Sequence, residues 1–339
     1  MFFINLYPYL PSSIIVLDMD SFHALCICLG VLFFIAFIYA FFYSKQAIRL
    51  NPFLDKHLLE RGLSKPILWL YYNDSDVNQR QWLDFGARSS HALSIPFLNL
   101  CYQRIAEHNH NDYQIRVIAG LTGLAELIGA DSLPDDLRNP IAPVNHAEMN
   151  WIRTTVLSRF GGLWVSPYSV SLKGFGVLPK DKVVFFGTDL NETYSGSAGT
   201  VVPGMRAVWS PVKHHPMFDE WEAVCYDRIQ HKRGGQQIRH DEAWDFARFS
   251  SQYGGIMVDP HSELGRKADG KRLQLEDLLA SGIDGIIPFD VYPHSVYVPF
   301  SWTEMRDREM FGWFLRMSEK QIMGSDLAVR YLLEGKVNA

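Results

Sequence analysis

Residues 145–168 constrain this chain more than any other stretch, because they spell out a helix, its stop and a buried strand in one pass. Asn145-His146-Ala147-Glu148 opens the segment, Gly161-Gly162 interrupts it, and Leu163-Trp164-Val165-Ser166-Pro167-Tyr168 follows. Asn145 with Glu148 three residues later has the form of a capping box, in which each side chain satisfies the other's backbone N–H. Met149, Ile152, Val156 and Phe160 recur at helical spacing, which predicts one buried face. Asn150 and Arg153 are three apart and so are neighbours on that helix. Gly161 can take the left-handed conformation that ends the helix, and Leu163-Trp164-Val165 has the composition of a strand. A polar turn just beyond such a strand is where open α/β sheets take ligands. An ordinary helix-to-strand turn has the same local pattern, and the residues alone leave both readings open.

The order Asn150-x-x-Arg153, a glycine pair eight residues after the arginine, and an aromatic-bearing strand ending in Ser166-Pro167-Tyr168 resembles one known arrangement. It is similar to the DXD-containing sugar-transferase region shared by capsular polysaccharide synthesis proteins and related glycosyltransferases. There the pattern reads Asp-x-x-Arg, Gly-Gly, then a strand ending in Asp-x-Asp. Arg153, Gly161, Gly162 and Trp164 match it, Asn150 stands at the first aspartate, and Ser166 and Tyr168 stand at the metal-binding acids. The resemblance is closest around this stretch, extends from Pro66 to Trp221, and fades beyond. It implies an α/β fold with a GT-A-like, Rossmann-type nucleotide-binding sheet and flanking helices. It also implies a nucleoside-diphosphate sugar as donor, a glycan or capsule-like polysaccharide as acceptor, and a Mn2+ or Mg2+ ion. On the same pattern the donor-binding residues would be Trp69, Asn73 and Asp74 after the first strand, with Asn150, Arg153, Gly161, Gly162, Ser166 and Tyr168.

The departures from the pattern have a chemical consequence. The family's acids hold a divalent cation that neutralises charge as the nucleoside diphosphate leaves. A serine hydroxyl and a tyrosine phenol, with a reference pKa of about 10, are neutral at pH 7 and are poor hard-anion ligands. Acids elsewhere hold the metal, cationic side chains replace it, or catalysis has been lost. Asp189 follows the apolar run Val183–Gly187, and Asp241 with Glu242 follows His240; these are the candidate acids for catalysis or metal binding, and Asp259 is a lesser metal candidate. Taken alone, each such acid is more often a helix cap or a solvated surface group than a functional one. Lys213, His214, His215, Arg266, Lys267, Lys271 and Arg272 are the candidate cations for a diphosphate.

From Phe22 to Tyr43 runs an apolar stretch whose only ionisable group apart from cysteine and tyrosine is His23, long enough to span a bilayer as a helix. No basic segment precedes it, so a cleaved signal peptide is the poorer reading. Asp18 and Asp20 come before it, while Lys45, Arg49, Lys56, Arg61 and Lys65 come after. By the positive-inside bias the body faces the cytosol, with a Golgi or ER lumen as the alternative. Asn191-Glu192-Thr193 would be a glycosylation acceptor in such a lumen. Only Cys101 and Cys225 lie in the body, which is no secreted disulfide framework. The formal net charge of -5 and the lack of a basic-aromatic stripe argue against a nucleic-acid partner; the expected partners are a nucleotide sugar, a glycan and a lipid membrane.

The chain therefore divides, on sequence, into an apolar segment (1–20), a transmembrane helix (21–43), a neck (44–65), a GT-A-like domain (66–300) and a C-terminal helical region (301–339). Pro66–Tyr72, Gln114–Ile118 and Val183–Gly187 read as strands, whereas Leu93–Glu107, Met217–His231 and Trp244–Phe249 read as helices. Residues 190–204, rich in Ser, Gly and Thr, read as a loop able to line the acceptor side. Trp302–Ile322 reads as one amphipathic helix. There is no Walker loop, nucleophile elbow or zinc-type Cys/His spacing. Two functions follow from the resemblance: a membrane-anchored glycosyltransferase, or an inactive glycosyltransferase-like subunit that binds a nucleotide sugar or glycan in a polysaccharide-assembly complex.

Overall fold

The computed structural model describes residues 65–73, 95–140, 144–188, 203–231, 242–259, 267, 273–282, 287–291 and 293–336. They all belong to one compact unit, Leu50–Ala339. The expected membrane span, residues 21–43, lies outside the described residues; among those described, no helix is long and apolar enough to cross a membrane.

The strand of six residues Ile67–Tyr72 (β1) is buried at every position but its first, the signature of a strand covered on both faces. It pairs in parallel with β2 (Gln114–Ala119) on one side and with β3 (Gly162–Val165) on the other. β6 (Pro203–Ser210) runs antiparallel to β3 and to β5 (Val183–Thr188), and β7 (Ile256–Asp259) runs parallel to β5. The result is a mixed, mostly parallel sheet of order β2-β1-β3-β6-β5-β7.

Helices cover both faces. α1 (Pro96–Asn109), the crossover from β1 to β2, packs Phe97, Leu98, Cys101 and Ile105 against Leu68, Leu70 and Tyr72. On the opposite face α2 (Gly120–Ile128) and α4 (His146–Phe160), separated by the short α3 (Asp135–Arg138), meet Trp69, Tyr71 and Trp164. α5 (Pro216–His231) and α6 (Glu242–Gln252) complete that face through Trp221, Cys225 and Phe249. Opposite directions of travel from β1, first to β2 and then to β3, with crossovers of one hand, require this distribution of helices.

Two sequence expectations need correction. Residues 203–210, read as the end of a loop and the lead-in to a helix, form a buried strand of the central sheet, tolerated because its proline is the first residue. Trp302–Ile322 is not one helix but α8 (Trp302–Asp307), two 3-10 turns and α9 (Glu319–Met323). Gly312 interrupts the run and Ser318 caps a new helix, with its side chain bonded to the N–H of Gln321. Phe300, Met305, Phe311, Phe314 and Ile322 from this region share one core with β1, and so do Ala328, Val329 and Leu332 of α10 (Ala328–Leu333).

A second, two-stranded sheet pairs β4 (Ser169–Ser171) with β8 (Tyr297–Pro299) in antiparallel fashion. The short helix α7 (Leu275–Leu278) precedes β8 in the chain.

Candidate functional site

The capping box at the start of α4 is present in both directions. The N–H of Glu148 donates to Asn145 Oδ1 at 3.0 Å, and the N–H of Asn145 donates to Glu148 Oε2 at 2.8 Å. The helix it starts is buried well beyond the single face that spacing predicts: Asn150, Arg153, Thr154, Thr155 and Ser158 are buried along with the apolar residues. α4 is enclosed by the sheet on one side and α5 on the other, so its polar side chains pair internally. Arg153 Nη1 donates to Asn150 Oδ1 at 2.9 Å, Thr154 Oγ1 donates to the Asn150 carbonyl at 2.9 Å, and Ser158 Oγ donates to Asp219 Oδ1 at 2.5 Å.

The glycine pair is occupied by the protein's own backbone. Gly162 has φ +94°, and a Cβ there would lie 2.5 Å from the Ile67 carbonyl oxygen and 3.2 Å from Trp69 Nε1. A Cβ on Gly161 would meet the Val212 carbonyl carbon at 2.9 Å. Both glycines stand at the amino end of β3, whereas ligands in open sheets lie beyond carboxyl ends. Their role is to let β3 start against β1, which replaces the expectation of a donor contact. Trp69 belongs to the same arrangement: it is buried, its indole N–H donates to the Gly161 carbonyl at 2.9 Å, and the Arg116 guanidinium lies 5.6 Å from its ring centroid. It is a core residue and not a surface for a nucleoside. Lys213, His214 and His215 sit at this same end, because the backbone of residues 212–213 packs on Gly161. The His214 N–H donates to the Ser158 carbonyl at 2.6 Å, and burial pushes the His215 imidazole below its ordinary range.

At the carboxyl ends the picture differs. β1 lies between the two strands that follow it, so the topological switch point of the sheet falls between the carboxyl ends of β1 and β3. Asn73 follows β1 and Tyr168 follows β3, and Asn73 Nδ2 donates to the Tyr168 hydroxyl at 3.1 Å. Both are half-buried. Ser166 is held by its N–H to the Arg206 carbonyl at 2.6 Å, and Ser169 Oγ donates to the Ser166 carbonyl at 2.8 Å. Arg153 stands eight residues before Gly161 on α4, about 12 Å of helix, and Ser166 stands four residues after Gly162, about 13 Å of strand. Arg153 and Ser166 are thus at comparable distances from the glycine turn along their elements.

Sequence-based candidates thus form two groups: Asn73 with Tyr168, near Ser166, and Asn150 with Arg153. Asp74, Asp189, Asp241, Arg266, Lys271 and Arg272 lie outside the described residues. Asp259 ends β7, the outermost strand on one side, and Lys267 is paired with Asp277 Oδ1 at 3.0 Å. Among the described residues no three His, Cys, Asp or Glu side chains gather as metal ligands. Sequence reasoning missed Tyr297, whose hydroxyl donates to the Phe186 carbonyl at 2.9 Å, and the buried Asp245, bonded by Arg228 and by the Trp221 indole N–H at 3.1 Å. The short β-branched and aromatic run Val296-Tyr297-Val298 was the available signal for the first. No family model matches the chain, and no curated protein matches it.

Proposed function

We propose that this chain is a membrane-anchored glycosyltransferase of GT-A type, moving a hexose from a nucleoside-diphosphate sugar to a glycan or capsule-like polysaccharide acceptor. One observation carries the reading: the Asn73 to Tyr168 hydrogen bond joins the segments after β1 and β3, at the switch point of the sheet, where the resemblance expects the donor. Neutral hydroxyls and an amide at that point suit phosphate oxygens and sugar hydroxyls, which accept and donate hydrogen bonds without requiring a metal.

Ser166 and Tyr168 do not fit a hard divalent cation, since neither offers an anionic oxygen at pH 7 and the Tyr168 oxygen already accepts from Asn73. In this reading Arg153, oriented by Asn150, supplies fixed positive charge to the departing diphosphate, and Asp189 or Asp241 takes the proton of the acceptor hydroxyl. The loss of the acid pair favours one alternative, a glycosyltransferase-like subunit that binds a nucleotide sugar or glycan without turnover.

The test is a panel of UDP- and GDP-sugars assayed for thermal stabilisation and hydrolysis, with and without Mn2+, on wild type and Tyr168→Phe. The proposal expects one donor to stabilise wild type and turn over, with affinity about five- to tenfold weaker in the variant through one lost hydrogen bond. Binding without turnover selects the alternative. No stabilisation by any donor overturns the transferase reading and leaves only the glycan-binding form of the alternative.

A further inference from the structure

We infer that Tyr297 is a positioning residue: its phenol pins the β4–β8 ribbon, and with it the Ser166–Tyr168 turn, onto the carboxyl end of β5. The inference deepens the function proposed above and rests on it only for the claim that this turn receives the donor.

The turn leads directly into the ribbon. Ser169 pairs with Pro299, Val170 with Val298 and Ser171 with Tyr297. The ribbon is closed at both ends by further backbone bonds: the Phe300 N–H donates to the Tyr168 carbonyl at 2.9 Å, and the Leu172 N–H donates to the Val296 carbonyl at 2.7 Å. Two strands of three residues are not stable alone, so the ribbon needs an external anchor to hold Tyr168 in place. Apolar packing of Val170 and Val298 provides adhesion, but it does not fix register or direction.

Tyr297 provides the directional contact. It is buried, and its hydroxyl donates to the Phe186 carbonyl at 2.9 Å. Phe186 is the last residue of β5 in regular pairing with β6: Phe186 pairs with Ala207, then the register slips before Thr188 pairs with Pro203. Gly187, with φ +87°, is the residue at the irregularity. Bulges of this kind are places where a strand is re-aimed next to a functional site. Phe175 packs edge-on against Phe186 at 4.9 Å and lies 6.2 Å from the Tyr297 ring, enclosing the phenol-to-carbonyl bond in apolar surroundings where it is strongest. Tyr168 is therefore held from two directions, by Asn73 from β1 and by the ribbon that Tyr297 ties to β5.

The experiment uses the full chain as wild type, Tyr297→Phe and Tyr253→Phe. The second variant also removes a phenol hydrogen bond, from Tyr253 to Glu220 Oε2 at 2.7 Å, but one that lies with α5 and α6 in the core on the opposite face of the sheet. Hydrogen exchange is followed at residues 166–171 and 186–188, and affinity is measured for whichever UDP- or GDP-sugar wild type binds. The inference expects Tyr297→Phe alone to accelerate exchange in both segments about fivefold and to weaken donor affinity by about the same factor. Exchange at 166–171 that is unchanged, or raised equally in both variants, overturns it. Faster exchange with unaltered donor affinity also overturns it, because the pinned turn would then play no part in binding. Should wild type bind no donor, the function proposed above fails, and the exchange comparison alone decides whether Tyr297 pins the turn.

Discussion

Replacing Gly162 with alanine separates the two roles a glycine pair can have beside a nucleotide-binding sheet. The backbone at Gly162 has φ +94°, a conformation that costs a residue with a Cβ about 1–3 kcal/mol. The added methyl would also stand 2.5 Å from the Ile67 carbonyl oxygen, a backbone atom fixed by β1. Relief requires β3 to move away from β1, an overpacking cost of about 1–3 kcal/mol. Together the loss is about 2–6 kcal/mol, against a typical total of about 5–15 kcal/mol, so the variant sits close to unfolding. Urea unfolding followed by far-UV circular dichroism measures it, as a fall in midpoint at unchanged slope. Gly254→Ala is the control, because its Cβ would meet nothing within 4 Å, and its midpoint should match or slightly exceed that of wild type. A loss below about 1 kcal/mol at Gly162, combined with loss of donor binding, would refute the reasoning and return the glycine pair to the ligand.

Other expectations follow from buried groups. Arg228→Ala leaves the Asp245 carboxylate buried without its guanidinium, and should cost about 3–5 kcal/mol in urea unfolding; replacing both with apolar residues of similar volume should recover most of it. Burial pushes the Cys101 and Cys225 thiols up to about 12, so neither should react with iodoacetamide at pH 8 until the protein unfolds, as peptide mapping by mass would record. The same shift has a sign for stability. Above the ordinary thiol range the unfolded chain releases protons that the folded chain retains, so stability falls by about 1.4 kcal/mol per pH unit for each thiol as pH rises from about 9 towards about 12. Glu148→Ala removes half of the capping box on α4 and should cost about 1 kcal/mol in the same unfolding assay.

Much of the sheet was legible because its strands are short apolar runs bounded by polar turns. β1, β2, β3 and β5 fall within a residue or two of where composition puts them, and the capping box announces α4. β6 was hidden because Pro203-Gly204 opens it and Arg206 interrupts its apolar run, while its burial arises from two antiparallel partners that only the tertiary fold supplies. The single helix expected over 302–322 failed for the opposite reason. Phe314 is apolar because Phe97 and Phe300 receive it, Met305 and Phe311 join the same core, and Ser318 with Gln321 carries a helix-start signal inside the supposed helix. The glycine pair precedes its strand and so stands at its amino end, whereas Ser166 to Tyr168 follow the strand and stand at its carboxyl end, where open sheets take ligands. The Asn73 to Tyr168 contact joins residues 95 apart and has no local signature.

Mapping where a nucleotide sugar touches the folded chain tests the central claim most directly. With a saturating UDP- or GDP-sugar, hydrogen exchange should slow at residues 72–73 and 166–169, beyond the carboxyl ends of β1 and β3, and remain unchanged at residues 160–162 and 212–214. Protection confined to the glycine turn, or no protection at either end with any donor, would contradict it.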